Sequence, residues 1–209
     1  MERVVIYDLD GTLIDSAWIV ADILNRMRKG ENVAPLTIED VRLLTSLGGE
    51  NMIKMALNCP TNKIGEKLAE FREAYRLTTT TEALVFPGVK AVLHHLKTHG
   101  IGVALCTNKP ENLAIQTLKE TKLYDVFDYA VYYNESGFNK PHPEPLNKIV
   151  DYFDLPKSHF VFIGDTETDL LAAQRAHLEF IFFDSGYDLT VNSRENLRTI
   201  TNHLEFLKS

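Results

Sequence analysis

Five short runs of apolar, β-branched and aromatic residues constrain the fold of this 209-residue chain more than any other feature. They lie at residues 4–7, 102–106, 129–133, 160–163 and 180–183. Their apolar residues are nearly continuous and do not alternate with polar ones, which is typical of strands buried on both faces of a parallel sheet. From residue 86 onward the runs alternate with segments of helical period, at 87–99, 110–122, 143–153 and 169–177. The pattern predicts an α/β fold with a doubly wound parallel sheet, whose functional residues lie at the carboxyl ends of the strands.

The stretch between residues 14 and 82 breaks this alternation. It contains no convincing strand, and amphipathic helical periodicity runs through residues 17–29, 38–47, 51–57 and 64–77. We therefore expect a helical domain, residues 14–82, inserted into an α/β core made of residues 1–13 and 83–209.

Charge and composition narrow the classes of partner. Lys and Arg number 22 against 29 Asp and Glu, a formal net charge of −7, and no segment gathers the basic residues. Nucleic acids and anionic membranes attract concentrated positive charge, so neither is expected as a partner. The apolar runs are too short to span a bilayer. Two cysteines cannot form a disulfide framework. We expect a cytoplasmic protein, monomeric or homodimeric, that acts on a small molecule.

Acidic residues follow two of the predicted strands. Asp8 and Asp10 end the first strand, and Asp165 and Asp169 follow the fourth. In a doubly wound sheet these two strand ends share one edge, so four carboxylates would gather there. With one lysine nearby the site would carry roughly −3, and a divalent cation would reduce this to roughly −1. Oxygen ligands without histidine or cysteine favour Mg²⁺ over zinc.

Two other strand ends offer groups that bind anions. Thr107 contributes a hydroxyl directly before a helix, although a hydroxyl in this position can equally cap that helix. Lys140 lies in a stretch whose prolines hold the backbone extended. Together these two residues would cradle a phosphoryl group, and the lysine would reduce the repulsion between the carboxylates.

Four motifs, taken in order along nearly the whole chain, resemble those of a known family. They are residues 8–16 (Asp-Leu-Asp-Gly-Thr-Leu-Ile-Asp-Ser), Thr107-Asn108-Lys109, Lys140-Pro141, and Gly164-Asp165 with Asp169. The set is similar to the haloacid dehalogenase superfamily, in its phosphoglycolate-phosphatase-like branch with a helical cap. The resemblance implies a Rossmann-like core with an inserted helical cap, and residues 45–51 would be the substrate-facing part of that cap.

The resemblance also implies roles for the acidic residues. Asp8 would be the nucleophile that attacks phosphorus and forms an aspartyl-phosphate, and Asp10 would be the general acid and then the general base. Mg²⁺ would be held by the carboxylate of Asp8, the backbone carbonyl of Asp10 and Asp165. Asp169 would orient the metal from behind these ligands or through water. Asp169 is equally consistent with a plain helix cap.

The phosphoryl group would be held by a separate set of residues. The resemblance assigns this role to Thr107, Asn108, Lys140 and the backbone N–H of Gly11. The function that follows is a Mg²⁺-dependent phosphatase acting on a small phosphate monoester, either phosphoglycolate-like or a sugar phosphate.

Two alternatives stay open at the level of sequence. A sugar-phosphate mutase of the same superfamily shares the Asp-x-Asp pair. A non-catalytic phospho-acceptor or binding module also places acidic residues and a lysine at the ends of a doubly wound sheet, although the insert of roughly seventy residues counts against it.

Overall fold

The structure of the protein is a computed structural model that describes residues 3–134, 137–187 and 197–208. Within these ranges the chain forms one sheet of six parallel strands, in the order β3-β2-β1-β4-β5-β6. The strands are β1 (Val4–Tyr7), β2 (Gly102–Pro110), β3 (Tyr129–Tyr133), β4 (Phe160–Gly164), β5 (Glu179–Phe183) and β6 (Arg198–Ile200). The predicted doubly wound parallel sheet is confirmed.

Successive residues of a strand point to opposite faces of the sheet, and here both faces are covered. The covering helices are α5 (Val89–Thr98), α6 (Glu111–Glu120), α7 (Glu144–Phe153) and α8 (Glu167–Ala176). The odd-numbered residues of β1 pack in an apolar layer with α5 and α6, and the even-numbered ones pack with α7 and α8. Burial on both sides explains why the runs in the sequence are apolar without alternation.

Strand β1 lies inside the sheet, between β2 and β4. Tyr7 is in register with Leu105 of β2 and Ile163 of β4. The residues that follow these three positions therefore emerge side by side at the carboxyl edge. Ligands of open α/β sheets bind at such an edge where the strand order reverses, which here is at β1.

The segment between β1 and α5 forms the four predicted helices. They are α1 (Ala17–Gly30), α2 (Ile38–Thr45), α3 (Gly49–Ala56) and α4 (Ile64–Arg76). These helices, called the helical layer below, pack against one another around an apolar cluster of their own. Leu113 of α6 and Tyr187 join this cluster from the α/β part, whereas Ile14 packs with the sheet. The division into a domain of residues 14–82 and a core stays a prediction.

Several element bounds differ from the sequence prediction. Strand β6 was not predicted, and β2 continues to Pro110 instead of ending at Cys106. Helix α5 begins at Val89, because Gly88 before it has a left-handed φ of +85° and Pro87 lies outside the helix. No helix in the described ranges is both long enough and apolar enough to cross a bilayer.

Candidate active site

Loops at the ends of four neighbouring strands line a cleft of about 470 Å³. Asp8 follows β1, Thr107 lies near the end of β2, Lys140 follows β3 and Asp165 follows β4. All four were predicted from sequence as site residues, and the structure brings them to one cleft. Its volume lies in the range of small-molecule sites.

The opposite wall of the cleft comes from the helical layer. Residues 45–52, which run from the end of α2 into the first turn of α3, line it together with Phe71, Arg72 and Tyr75 of α4. The segment 45–51 was expected to face the substrate, and it does face the cleft. The carboxylates on one side therefore meet a mixed apolar, aromatic and basic wall on the other.

Three buried carboxylates gather at the floor of the cleft. One oxygen each of Asp8, Asp165 and Asp169 lies within 4.8 Å of the other two. Burial, opposed by the charge of Lys140 and reinforced by that of Asp169, raises the pKa of Asp8 to about 7. Burial and then the charges of Asp169 and Asp8 also raise the pKa of Asp165 well above its usual value. The ionised cluster is costly to maintain without a cation.

The donor set of this cluster fits Mg²⁺. All candidate ligand atoms are carboxylate oxygens, which hard divalent cations prefer. Oδ2 of Asp165 is buried and has no hydrogen-bond partner among the described residues. An unpaired buried carboxylate oxygen is destabilising unless a proton or a cation completes its environment, and the acidic neighbours make a divalent cation the ligand that suits the whole cluster. The third carboxylate of the cluster is that of Asp169 and not that of Asp10, whose backbone carbonyl stays a predicted ligand.

Lys140 neutralises part of the acidic cluster. Its Nζ lies 2.8 Å from Oδ1 of Asp8 and 2.6 Å from Oδ1 of Asp169, and its side chain is almost fully buried. Burial works against the charged form, but the charges of Asp169 and Asp8 prevail and raise the pKa of Lys140 above its usual value. The lysine is therefore a fixed cation beside the predicted nucleophile.

Asp169 has one of the two roles that the sequence left open, that of a helix cap, and its other carboxylate oxygen binds Lys140, while its role toward the metal stays a prediction. Oδ2 accepts hydrogen bonds from the N–H and the hydroxyl of Thr166, at 3.1 and 2.6 Å, and closes a capping box at the start of α8. Oδ1 accepts the hydrogen bond from Lys140. The cap of α8 therefore fixes the orientation of the Asp169 carboxylate. This carboxylate in turn fixes the position of the Lys140 ammonium.

Two glycines allow the acidic loops to approach closely. Gly11 has a φ of +83°, and a Cβ there would lie 2.1 Å from Oδ2 of Asp165. At Gly164 a Cβ would lie 2.6 Å from Cβ of Asp169. The N–H of Gly11, however, donates to the carbonyl of Ile14 at 2.9 Å. This N–H is therefore not available to a phosphoryl oxygen. The role of Gly11 is to let the carboxylate of Asp165 approach the loop after β1 closely.

Two adjacent residues near the end of β2, Thr107 and Asn108, make different contacts. The hydroxyl of Thr107 accepts the N–H of Lys109 at 3.1 Å, which leaves its proton for a ligand in the cleft. Asn108 was predicted to bind phosphate, but its amide pairs with the backbone of Lys140 instead. Its Nδ2 donates to the Lys140 carbonyl at 2.8 Å, and its Oδ1 accepts the Lys140 N–H at 3.0 Å. Asn108 therefore positions the loop that carries the lysine.

Two contacts that the sequence did not predict hold Asp165 in place, one directly and one through Thr12. The hydroxyl of Thr12 donates to Oδ1 of Asp165 at 2.6 Å. Nε2 of His203, in a short 3₁₀ segment near the C-terminus, lies 2.8 Å from the carbonyl oxygen of Thr12. Burial lowers the pKa of His203 to about 4, so the ring is neutral at pH 7 and Nε2 carries the donated proton.

Lys109 is the principal site residue that sequence reasoning missed. Its Nζ lies 2.9 and 3.2 Å from the two carboxylate oxygens of Asp10 and 2.8 Å from the hydroxyl oxygen of Tyr75. With Lys109 and Lys140 both present, the four aspartates leave a formal charge of −2, where the sequence predicted about −3. A single divalent cation would neutralise the site.

The arrangement supports one kind of chemistry. A buried carboxylate, a cation cradle, a fixed lysine and a free hydroxyl can together bind an anionic group and attack it. A second carboxylate on the same loop, that of Asp10, is held by a separate cation. The arrangement can therefore bind an anionic ester beside the carboxylate of Asp8.

Comparison with known proteins indicates the family of the chain. A family model described as haloacid dehalogenase-like hydrolase matches residues 5–183. A curated phosphoglycolate phosphatase from Photorhabdus laumondii is 30% identical over 191 residues, which cover 89% of this chain and 82% of the relative. Another, from Cereibacter sphaeroides strain ATCC 17025, is 31% identical over 188 residues, 88% of this chain and 85% of the relative.

The fold is also found among solved structures. The crystal structure of a predicted phosphoglycolate phosphatase from Haemophilus somnus 129PT superposes with a TM-score of 0.85. The match covers 99% of this chain and 96% of that one at 22% sequence identity. At this level of identity the likeness concerns the fold.

Proposed function

The chain belongs to the haloacid dehalogenase-like hydrolase family, and from this premise we propose that it is a Mg²⁺-dependent phosphatase that cleaves small phosphate monoesters through an aspartyl-phosphate on Asp8. Phosphoric monoester hydrolysis is the activity named for its curated relatives. The metal, the intermediate and the substrate are inferred from the residues of the site.

One observation carries the proposal. The carboxylate of Asp8 lies at the floor of the cleft, 2.8 Å from the ammonium of Lys140 and within 4.8 Å of two further carboxylates. A carboxylate that is buried, paired with a lysine and placed in an acidic cradle is poorly explained by a structural role, because burying like charges together is destabilising. It is well explained as a nucleophile that works beside a bound cation.

In the proposed reaction each site residue has a separate role in one or both of two steps. An oxygen of Asp8 attacks phosphorus, the bond from phosphorus to the leaving oxygen breaks, and Asp10 gives its proton to that oxygen. Asp10 then removes a proton from a water molecule, which attacks phosphorus and breaks the bond to Asp8. Thr107 and Lys140 hold phosphoryl oxygens during both steps. Phosphate and the alcohol are the products.

Mg²⁺, when bound by Asp8 and Asp165, would balance the charge of the cluster and of the incoming phosphate. Asp169 contributes indirectly, because it fixes Lys140 and lies beside both predicted ligands.

The substrate we propose is a small phosphate ester of the phosphoglycolate or sugar phosphate type. The curated relatives named above are phosphoglycolate phosphatases. Arg72 of α4 lines the cleft and would attract a second anionic or hydroxyl-bearing group on the substrate.

Phosphate release from a panel of metabolites tests the proposal. The panel contains 2-phosphoglycolate, sugar phosphates, nucleoside monophosphates and 4-nitrophenyl phosphate, each with Mg²⁺ and with a chelator. Asp8→Asn preserves the shape of the nucleophile and removes its reactivity, so turnover should fall by about 10⁴-fold or more.

The matched control is Asp151→Asn, the same change on the exposed face of α7, which should leave activity intact. Turnover that survives Asp8→Asn, or that persists unchanged in the chelator, would contradict the proposal.

A further inference from the structure

The ammonium group of Lys109 has all of its hydrogen bonds inside the protein. It has three N–H donors and no acceptor. Two of the three acceptors that surround it are the oxygens of Asp10, and the third is the hydroxyl oxygen of Tyr75. The side chain is 7% exposed. No donor is left for a phosphoryl oxygen, so Lys109 is not a second copy of Lys140.

The contact with Asp10 holds both carboxylate oxygens. The Asp10 side chain is 29% exposed, and within the described ranges Lys109 is the residue whose side chain binds its carboxylate. Without this fork the carboxylate could rotate among its side-chain rotamers. With it, the carboxylate is held in one orientation at the edge of the cleft.

The contact with Tyr75 links this arrangement to the helical layer. Tyr75 lies on α4, is buried, and packs in the apolar cluster of that layer beside Phe71. Its ring also lies under the ammonium, with Nζ 4.0 Å from the ring centre. Helix α4 contacts α6, the helix that directly follows β2 and Lys109. The partner that completes the shell of Lys109 is therefore present only while α4 packs on the α/β part.

We propose that Lys109 is a positioning residue for Asp10, and that the Tyr75 hydroxyl makes this positioning depend on α4 being packed against the α/β part. This inference rests on the proposed function, in which Asp10 transfers the proton to and from the leaving group. Its consequence is that the proton-transfer group is in place only when the helical layer closes one wall of the cleft.

The dependence of rate on the leaving group separates positioning from a general structural role. Departure of an alkoxide needs a proton from Asp10, whereas 4-nitrophenolate leaves without one. Lys109→Met removes the charge and keeps most of the side-chain length. It should lower kcat/KM for the best alkyl phosphate of the panel by about 10²-fold and spare kcat/KM for 4-nitrophenyl phosphate, since general acid catalysis contributes about 10²–10⁴-fold. The ratio kcat/KM is the measure to compare, because it ends with departure of the leaving group and does not include the later step in which Asp10 acts as a base.

Two further variants test the chain of contacts. Tyr75→Phe removes the hydroxyl and keeps the ring, and it should show the same selective loss at about 10-fold, because slight misplacement of a catalytic group is costly. The double variant should be no worse than Lys109→Met alone, since Tyr75 acts through Lys109. Lys109→Arg, which restores the positive charge, should recover part of the alkyl phosphate activity. Tyr152→Phe on α7 and Lys119→Met on α6 are matched controls on exposed positions.

The outcomes distinguish this inference from the proposed function. Equal losses of kcat/KM on alkyl and aryl phosphates, an additive double variant, or no loss at all would overturn the inference while the Asp8→Asn result still stood. A wild-type protein inactive on the whole panel would overturn the proposed function and this inference with it. Thermal unfolding of each variant, followed by circular dichroism, confirms that the compared proteins are folded.

Discussion

At the scale of single residues, the partner of each aspartate decides what that aspartate can do. Asp8 and Asp169 share the ammonium of Lys140, whereas Asp10 has a lysine of its own. One oxygen of Asp165 accepts a hydrogen bond from Thr12, and the other has no partner among the residues that the structure describes. Four residues of one type thus acquire different tasks, and the unpaired oxygen is the one suited to a cation.

Gly11 provides a prediction about the metal site. In Gly11→Ala the added methyl group would meet Oδ2 of Asp165 at 2.1 Å, so the loops must separate. The left-handed backbone adds about 1–2 kcal/mol of strain, and the overpacking adds about 1–3 kcal/mol. We expect a loss of Mg²⁺ affinity, measured by isothermal titration calorimetry, together with lower stability in urea.

Gly186→Ala is the matched control for this substitution. Gly186 has nearly the same φ, +82°, but nothing lies within 4 Å of the position that an added methyl group would take. Gly186→Ala should therefore add the backbone strain without the overpacking. Wild-type Mg²⁺ affinity in Gly11→Ala would show that this close approach is not needed for the metal.

His203 predicts a pH dependence of stability. Its pKa is about 4 in the folded protein and near 6.5 in an unfolded chain, so the unfolded state binds more protons between these values. The folded state therefore loses stability as the pH falls below 6.5, by about 2 kcal/mol between pH 7.5 and 5. His203→Gln keeps an N–H donor for Thr12 without a titrating group, and this part of the pH dependence should vanish.

Urea unfolding at pH 7.5 and pH 5 measures the effect. His94→Gln, the same change at an exposed position on α5, should retain the wild-type pH dependence. If His203→Gln also retained it, the buried ring would not be the group responsible.

At the scale of secondary-structure elements, the same capping box occurs at the starts of two helices, α2 and α8. Thr166 and Asp169 cap α8 at the floor of the cleft, and Thr37 and Asp40 cap α2 on the surface. Thr166→Ala and Thr37→Ala should each cost about 1 kcal/mol of stability. Only Thr166→Ala should also reduce turnover, by about 10-fold or more, since it releases the carboxylate that orients Lys140.

Urea denaturation and steady-state kinetics on the same two proteins check this pair. Equal kinetics in both variants would mean that the cap of α8 contributes stability and nothing more.

The burial of each strand determines whether that strand could be predicted from the sequence. Strands β1 and β4 are covered on both faces and therefore leave continuous apolar runs. Strand β6 has three residues, of which only Ile200 is buried, so it leaves no run at all. The start of α5 depends on the backbone conformation of Gly88, which no apolar periodicity records.

Some residues of the candidate site could be predicted from the sequence and others could not. Asp8 and Asp165 were predictable because each follows a strand whose end can be read from the sequence. Lys109 was not, because its partners lie 99 and 34 positions away and are chosen by the register of β1 with β2 and by the packing of α4. His203 meets Thr12 across 191 positions, a contact that only the complete fold brings about.

At the scale of the whole molecule, the metal and the fold should stabilise each other. The site carries a formal charge of −2 in a buried position, so the folded protein contains repulsion that the unfolded chain does not. A ligand that binds only the folded state adds about 2.7 kcal/mol of stability at a concentration of 100 times its Kd. For a chain of this size that corresponds to a rise in Tm of roughly 5–10 °C.

Asp165→Asn separates this effect from unspecific binding of Mg²⁺. The change removes one negative charge from the buried cluster, and burial together with neighbouring carboxylates already raises the pKa of Asp165. The metal-free variant should therefore melt at the same temperature as the metal-free wild type or higher, and its Tm should no longer respond to Mg²⁺. A full Mg²⁺-dependent rise in Asp165→Asn, measured by differential scanning calorimetry, would place the stabilising ion elsewhere on the protein, because the remaining carboxylates of Asp8 and Asp169 are already paired with Lys140.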